Sequence, residues 1–182
     1  MPGITDRSTK KPVVDIGRLG HGTLVSIDLA KSRRFYEEVL GLEVIQTSPI
    51  SLLVRKGTDH TYAVVETGKA NNEMELLYHN GLEASSPEAL DRAYEQLKAV
   101  QEEYGIRKLQ RPHKQHGNYA FYFMDLDGNW WEFVAVGPGG YARAFTDKSY
   151  DLTGRHDLKL ERSAHVADDK TRERISSEES AG

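Results

Sequence analysis

The sequence predicts an α+β protein made of two copies of a strand–helix–three-strand (βαβββ) unit, whose strands form a curled mixed sheet. The same order of predicted strands and helix occurs twice in succession. Each predicted helix ends at a glycine, Gly41 in the first copy and Gly105 in the second, 64 residues apart. One copy alone would bury little apolar surface, so the two sheets should pair, within one chain or across a dimer.

The first copy starts with an apolar strand and a capped helix. Asp28 precedes the helix and supplies an N-cap, and Gly41 follows it where many helices end in a left-handed residue. Three short strands come next, and a polar turn at 56–59 separates the last two. The predicted elements are a strand at 22–27, a helix at 29–40, and strands at 42–46, 51–55 and 61–66.

The second copy repeats this order with a stronger helix start. The segment Ser85-Ser86-Pro87-Glu88 combines a serine cap, a proline in the first turn and a capping-box glutamate. Apolar residues at helical spacing predict a buried stripe, and Asp127-Gly128 favours a hairpin turn between the last two strands. The predicted elements are a strand at 74–79, a helix that ends at Gly105, and strands at 106–110, 119–124 and 130–136.

The composition indicates which partners the protein can have and which residue types could bind a metal. The chain has 182 residues, 38% of them hydrophobic and 29% charged, with a formal net charge of −4. We therefore expect a cytoplasmic protein with no nucleic-acid or membrane partner. The chain has no cysteine, so a metal would be bound by histidine and carboxylate. We expect a flexible segment at 1–17, a domain at 18–137 with modules at 18–70 and 71–137, and a charged, partly disordered extension at 138–182.

Three candidate metal ligands fall at matching places in the repeat. His21 opens the first strand of the first copy, and His79 lies on the predicted first strand of the second copy. Glu132 lies on the last strand, between Trp131 and Phe133, where a buried carboxylate needs a partner. Two imidazoles and one carboxylate on one face form a triad with open coordination positions, which suits iron(II). The sequence thus predicts that the curled sheet surrounds a metal site.

Two segments of the chain, one at the start and one at the end of the repeated modules, resemble the vicinal-oxygen-chelate (glyoxalase-like) superfamily. His21, followed by a strand and a helix that ends in Phe35-Tyr36-Glu37-Glu38-Val39-Leu40-Gly41, resembles the opening of those proteins. The segment from Asp125 to Glu132 resembles their closing hairpin, whose last glutamate binds the metal. The resemblance covers about 21–136 and implies the fold and a bound divalent ion.

Within that superfamily, the closing segment is most similar to extradiol ring-cleaving dioxygenases. Their signature places a histidine, an apolar residue followed by tyrosine, an acidic or small polar residue, and a glycine before the ligand glutamate. Tyr122 precedes Glu132 by ten residues, and His113 fits the histidine position, with His116 as the second candidate. Leu126 replaces the usual proline. The signature residues that fit in order, besides His113, are Phe121-Tyr122, Asp125, Gly128 and Glu132.

This resemblance implies a mechanism in which a catecholic substrate chelates the metal and its ring is cleaved by O2. His113, or else His116, would move protons, and Tyr122 would donate a hydrogen bond to a substrate oxygen. Fe(II) is the favoured ion, and Mn(II), Zn(II), Ni(II) and Co(II) are the alternatives. Phe121, Phe123, Trp130 and Trp131 are candidates for the ring pocket, although strand alternation sends only some of them inward.

Two other functions remain open from the sequence. A glyoxalase-like lyase or epimerase would use a redox-silent metal and favour a fourth ligand near 61–66, where residues 62–65 offer none and only His60 and Glu66 flank the strand. A binding protein of the same fold would take up a small molecule without turnover. We expect the protein to be a homodimer.

Overall fold

The computed structural model describes residues 4–14, 18, 20–57, 60–69, 75–115, 118–158 and 169–179. It contains two four-stranded mixed sheets, with strand order β1-β4-β3-β2 in the first and β5-β8-β7-β6 in the second. In each sheet the first and last strands of a βαβββ unit pair in parallel, and the remaining pairs are antiparallel. The predicted α+β class and the twofold repeat are therefore confirmed, with two separate sheets in place of one continuous curled sheet.

The first module follows the predicted order closely. Asp28 caps the helix, since its side chain accepts hydrogen bonds from the backbone N–H groups of Ala30 and Lys31. The helix continues past α1 as a π-helical turn, in which Phe35 and Tyr36 are both buried. The elements are β1 (His21–Ser26), α1 (Leu29–Arg34), the π-helical turn (Phe35–Val39), β2 (Glu43–Ser48), β3 (Ser51–Arg55) and β4 (Thr61–Glu66).

The second module has the same order with a longer helix. Ser86 caps α2, because its hydroxyl accepts a hydrogen bond from the backbone N–H of Ala89, and Pro87 is the first helical residue. Leu90 and Leu97 of the predicted apolar stripe are buried. The elements are β5 (Asn80–Ala84), α2 (Pro87–Ala99), β6 (His113–Gln115), β7 (Asn118–Met124) and β8 (Trp130–Ala135).

The strand predicted at 74–79 was wrong. Leu76–Tyr78 forms a short 3₁₀ turn, and β5 starts one residue after His79, where Asn80 pairs with Trp131. The apolar run was misleading because it is largely outside the core: Leu77 is 83% exposed. His79 therefore stands at the entrance to the strand and not within it.

The strand predicted at 106–110 was also wrong. Only Arg107 makes a β-bridge there, with Met124. Lys108 follows it with φ of +49°, a left-handed conformation that ends an extended segment. The strand that pairs with β7 begins later, at His113.

Each sheet has two unlike faces. One face packs against the helices and into a shared core that includes Leu24 and Val54 from the first module and Phe121 and Trp131 from the second. We call the opposite face of each sheet its open face. By strand alternation, the open face of the first sheet carries His21, Thr23, Val25, Leu53, Thr61, Ala63 and Val65, and that of the second carries Gly81, Glu83, Ala120, Tyr122, Trp130, Glu132 and Val134.

The β7–β8 hairpin joins the modules through buried polar contacts. Asp125 is fully buried, and its carboxylate accepts hydrogen bonds from the Tyr36 hydroxyl at 3.3 Å and from the Trp131 indole N–H at 3.0 Å. Asn129 exchanges two hydrogen bonds with the backbone of Val25 at the edge of the first sheet. Since Tyr36 and Val25 belong to the first module, one hairpin of the second module fixes how the two halves pack.

The segment after β8 folds back onto the second module. It contains two 3₁₀ turns, Tyr141–Phe145 and Lys148–Tyr150, and a final helix, α3 (Asp169–Glu179). The N-terminal segment contacts it, because Arg7 pairs with Asp151 and the backbone N–H of Gly154 donates to the carbonyl of Thr5. Among the helices described, none combines the length and the apolar character that a membrane span requires.

The Asp127 carboxyl should make the stability of the fold depend on pH. It is fully buried and accepts hydrogen bonds from the Ile27 backbone N–H at 2.7 Å and the Ser32 hydroxyl at 2.6 Å. Burial, with a smaller contribution from the charge of Asp125, raises its pKa from 3.8 to about 6. Between these values the folded chain binds a proton that the unfolded chain does not, so this contribution to stability falls as pH rises.

We therefore expect this group to make the free energy of unfolding about 1.4 kcal/mol larger at pH 5 than at pH 7.5. Asp127→Asn should remove that difference, which urea unfolding at the two pH values measures. Glu95→Gln, at an exposed carboxylate, is the control and should keep the wild-type pH dependence. The same pH dependence in wild type and Asp127→Asn would contradict the assignment.

Candidate metal centre

A polar cluster lies on the open face of the second sheet, where adjacent strands bring three predicted side chains together. Glu132 on β8 is paired with Tyr122 on β7, and with Gly81 on β5 at its other side. The Tyr122 hydroxyl donates a hydrogen bond of 2.7 Å to Glu132 Oε1. The second carboxylate oxygen, Oε2, is 3.4 Å from Nε2 of His79. Gly81 has no side chain, so His79 can reach across β5 to the carboxylate.

The 3₁₀ turn before β5 fixes the orientation of His79. Its Nδ1 is 2.8 Å from the carbonyl oxygen of Leu76, and because a carbonyl only accepts, Nδ1 carries the proton. Nε2 is then the basic nitrogen, and it faces Glu132. The ring also packs edge-on against Tyr122, with centroids 5.1 Å apart. A backbone carbonyl that holds the remote nitrogen is the usual arrangement for a histidine that binds a metal.

The chemistry of these donors fits a divalent cation. The Nε2 lone pair and the Glu132 carboxylate face each other, and a cation or a proton between them relieves their repulsion. Two ligand atoms that each lie about 2.1 Å from one ion at a right angle would be about 3 Å apart, close to the observed 3.4 Å. Tyr122 occupies only the other carboxylate oxygen, so it orients Glu132 without occupying the position that faces His79.

His21 does not join this cluster within one chain. It is exposed at the start of β1, on the open face of the first sheet, where its neighbour on β4 is Thr61. Within the described part of a single chain, no three His, Asp or Glu side chains are close enough to hold a metal ion. The structure thus brings together two of the three predicted ligands, and the third lies on the other module.

The strand beside His21 offers no further ligand on its open face. Thr61, Ala63 and Val65 are the residues of β4 on that side. Glu66 instead accepts a hydrogen bond from the backbone N–H of Leu29 at the start of α1. His60 packs edge-on against Tyr62 and lines a cavity of about 390 Å³ at the module junction. Both residues that flank the strand therefore lie on the helix-packed side of the first sheet.

His113, the first predicted proton-transfer residue, lies at the start of β6. It pairs with Ala120, so its side chain is on the same open face as Tyr122 and Glu132. Its Nδ1 is 3.0 Å from the carbonyl oxygen of Arg111, so this nitrogen is the donor and Nε2 is the basic one. His116, the second candidate, lies outside the described residues.

The four aromatic residues predicted near the ring pocket divide between the two faces. Phe121, Phe123 and Trp131 are buried in the shared core, on the helix-packed side. Trp130 lies on the open face and clusters there with Tyr122 and Met124. Only Trp130 of the four is therefore on the same side as Glu132.

Sequence reasoning missed Tyr141, which reaches the same open face from the extension. Its backbone N–H donates to Glu83 Oε1 at 2.9 Å, and its hydroxyl accepts a hydrogen bond from Asn118 Nδ2 at 2.9 Å. Burial, followed by the negative charges of Glu132 and Glu83, raises the pKa of Tyr141. The glycine-rich run 137–140 before it is a local signal of a turn, but it does not reveal the direction of the chain.

A protein-family model and solved structures agree on the identity of the fold. The model of the Glyoxalase/Bleomycin resistance protein/Dioxygenase superfamily matches residues 18–133. The structure of the fosfomycin resistance protein FosX from Listeria monocytogenes, complexed with Mn(II) and sulfate, superposes with a TM-score of 0.55 at 22% identity. That superposition covers 72% of this chain and 99% of FosX, so it supports the fold alone.

Curated relatives from two enzyme classes match part of the chain. Mitochondrial methylmalonyl-CoA epimerase of Bos taurus is 39% identical over 70 residues, which is 38% of this chain and 36% of that enzyme. Metapyrocatechase of Geobacillus stearothermophilus is 33% identical over 89 residues, 47% of this chain and 26% of that enzyme. The matches thus span only about a quarter to a third of these two relatives. Together with the family model, they lead to one conclusion: the chain belongs to the glyoxalase/bleomycin resistance protein/dioxygenase superfamily.

Proposed function

We propose that the protein is a metal-dependent extradiol dioxygenase, which cleaves a catecholic ring beside its diol with O2. The observation that carries this proposal is the contact of Glu132 with His79 on one side and Tyr122 on the other. These contacts support the proposal because His79 and Glu132 would supply two of the three ligands of a two-histidine, one-carboxylate site, with Tyr122 beside them. Such a triad leaves positions for a bidentate substrate and for dioxygen.

The third ligand of the proposed site is His21 from a second copy of the chain. In one chain the two modules join through their helix-packed sides, and His21 and Glu132 lie on separate open faces. The open face of the first sheet is apolar around His21, with Val25, Leu53, Ala63 and Val65, and Ile45 beside them is 60% exposed. An apolar face of this kind favours an interface. A symmetric dimer that covers it with the second sheet of the partner would complete two equal sites.

The scarcity of ligands on β4 supports a three-ligand site. No carboxylate, amide or imidazole accompanies Thr61, Ala63 and Val65 on the open face. A triad is the ligand set of the dioxygenase proposal, whereas the epimerase or lyase alternative favoured a fourth ligand on this strand. The proposed ion is Fe(II), with Mn(II), Zn(II), Ni(II) and Co(II) as alternatives that the same donors would accept. The chemistry that bound iron supplies at such a site is chelation of vicinal oxygens and activation of dioxygen.

The remaining steps belong to side chains of the second module. His113 presents Nε2 as its basic nitrogen, so it would take a proton from the catechol and return it later. His116 stays the second candidate for this role. The Tyr122 proton is donated to Glu132, so the primary role of Tyr122 would be to hold the carboxylate ligand in place. The ring carbon–carbon bond next to the diol breaks and both atoms of O2 enter the product, so no external reductant is needed.

An epimerase is the second candidate, and the matches to methylmalonyl-CoA epimerase favour it. The bovine enzyme has the higher identity of the two relatives described above, 39% over 70 residues. This function would use a redox-silent ion and would proceed without oxygen. Only the dioxygenase would consume oxygen, so a measurement of oxygen uptake distinguishes the two candidates.

The shared metal site predicts complementation between two inactive variants. His21→Ala and Glu132→Ala should each weaken Mn(II) binding by more than about 100-fold, since each removes one of three ligands. If one site uses both copies, refolding an equal mixture should restore about a quarter of the wild-type capacity, because half of the dimers are mixed and each has one intact site. Isothermal titration with Mn(II) measures this capacity.

His60→Ala is the matched control for this experiment, since it removes a histidine on the helix-packed side, and it should bind Mn(II) like the wild type. If the mixture binds no more metal than either variant alone, the site does not draw His21 and Glu132 from different copies. Wild-type protein that binds no divalent metal would end the proposal altogether.

Oxygen consumption tests the reaction. Protein loaded anaerobically with Fe(II) should consume O2 when given catechols and form yellow ring-opened products. His113→Asn keeps a donor for the Arg111 carbonyl but loses the basic nitrogen, so turnover should fall by about 10²–10⁴-fold with Mn(II) affinity unchanged. An oxygen electrode and product absorbance give the rates.

Two outcomes would change the assignment. Full activity in His113→Asn, with loss of activity in His116→Asn, would move the proton-transfer role to His116. Absence of oxygen uptake with every catechol, combined with anaerobic epimerisation of an acyl-CoA, would favour the epimerase.

A further inference from the structure

The C-terminal extension delivers one side chain to the face that carries the candidate metal centre. Tyr141 is anchored at both ends: its backbone N–H donates to Glu83 on β5, and its hydroxyl accepts from Asn118 on β7. Since β8 lies between those strands and Glu83 pairs with Val134, Tyr141 crosses β8 near Val134. Val134, the next open-face residue of β8 after Glu132, is fully buried.

The turn that positions Tyr141 is sterically demanding. Gly140 has φ of +58°, and a Cβ at that residue would overlap the Glu83 carboxylate. Glycine therefore allows the backbone to approach Glu83 closely enough for the hydrogen bond to Tyr141. A side chain at residue 140 would therefore displace the Glu83 carboxylate from this position.

The Tyr141 hydroxyl retains an unused donor. The Asn118 amide donates to its oxygen, and no described residue accepts its proton. A tyrosine hydroxyl has an ordinary pKa of about 10 and is therefore protonated at neutral pH. It can therefore donate a hydrogen bond but cannot act as a base there. Tyr141 as a whole residue is 40% exposed, so a small molecule can reach it.

We propose that Tyr141 is a substrate-positioning residue of the metal centre, which donates a hydrogen bond from its hydroxyl to an oxygen of a metal-chelating substrate. Asn118 fixes the direction of this donor, and Glu83 fixes the backbone that carries it. This inference rests on the proposed metal-dependent function. It adds a specificity element from outside the two repeated modules, because residue 141 follows the region that the family model matches.

The test uses full-length Mn(II)-loaded protein and 4-nitrocatechol, titrated anaerobically and followed by absorbance. Tyr141→Phe keeps the ring and the backbone contact with Glu83 and removes only the hydroxyl. We expect it to bind 4-nitrocatechol about tenfold more weakly than the wild type, the effect of one lost hydrogen bond, with Mn(II) affinity and melting temperature unchanged. Asn118→Ala should give a smaller loss, since the donor remains but is no longer oriented.

Tyr150→Phe is the matched control: Tyr150 lies in the same extension but stacks with Arg143 and Arg172, and its variant should bind like the wild type. Equal affinity in Tyr141→Phe and wild type would overturn the role of Tyr141 and leave the metal function standing. Wild-type protein that binds Mn(II) but not 4-nitrocatechol would overturn both this role and the dioxygenase assignment. Loss of Mn(II) binding in Tyr141→Phe would show that the residue supports the metal site and not the substrate.

Discussion

The buried Asp125 carboxylate is the interaction on which the arrangement of the two modules depends. It accepts hydrogen bonds from Tyr36 in the first module and from Trp131 and Asn129 in the second. A fully buried carboxylate is costly unless every lone pair has a partner. No buried polar side-chain atom in the described parts of the chain lacks one. Because its partners come from both modules, separating the modules would leave this charge unsatisfied, so the hairpin holds them in one relative orientation.

That orientation determines where chemistry can occur. The hairpin buries the helix-packed sides of both sheets in one core, so the two open faces remain available. On the second sheet, the open face carries a polar cluster in which Glu132 is 2.7 Å from the Tyr122 hydroxyl and 3.4 Å from His79, and the rings of His79 and Tyr122 pack edge-on. On the first sheet, the corresponding face has one histidine among small and apolar side chains. The two open faces thus differ, since one carries a polar cluster and the other carries mostly small and apolar side chains, and this difference is the reason for proposing a site that two copies share.

The sequence predicted most of the fold because its signals are local. Asp28, Ser86 and the alternation along β4 and β8 each act within a few residues, and these elements form where expected. The repeat also led to the juxtaposition of His79 with Glu132. The two wrong strand predictions have local causes that residue composition does not show. Leu76–Tyr78 has the composition of a strand but lies outside the core. Lys108 adopts a left-handed conformation that its residue type rarely favours. Tyr141 could not be predicted, because its contacts with Glu83 and Asn118 span 58 and 23 residues and follow no periodic pattern.

Two repeated modules have open faces of the same geometry. A binding site specific to one of these faces therefore needs residues that the other face does not have. In this chain the extension after β8 supplies one such residue, because it anchors Tyr141 on the second sheet at Glu83 and Asn118. The extension contacts this sheet at Glu83 of β5 and Asn118 of β7, whereas the contacts that join the modules lie at Asp125 and Asn129. A fold that separates the metal ligands from the residues that contact the rest of a substrate can retain one ion while its substrate changes. The matches to an epimerase and to a ring-cleaving enzyme each cover less than half of the chain. Under the proposed function, the selectivity between such substrates would depend on segments such as the one that carries Tyr141.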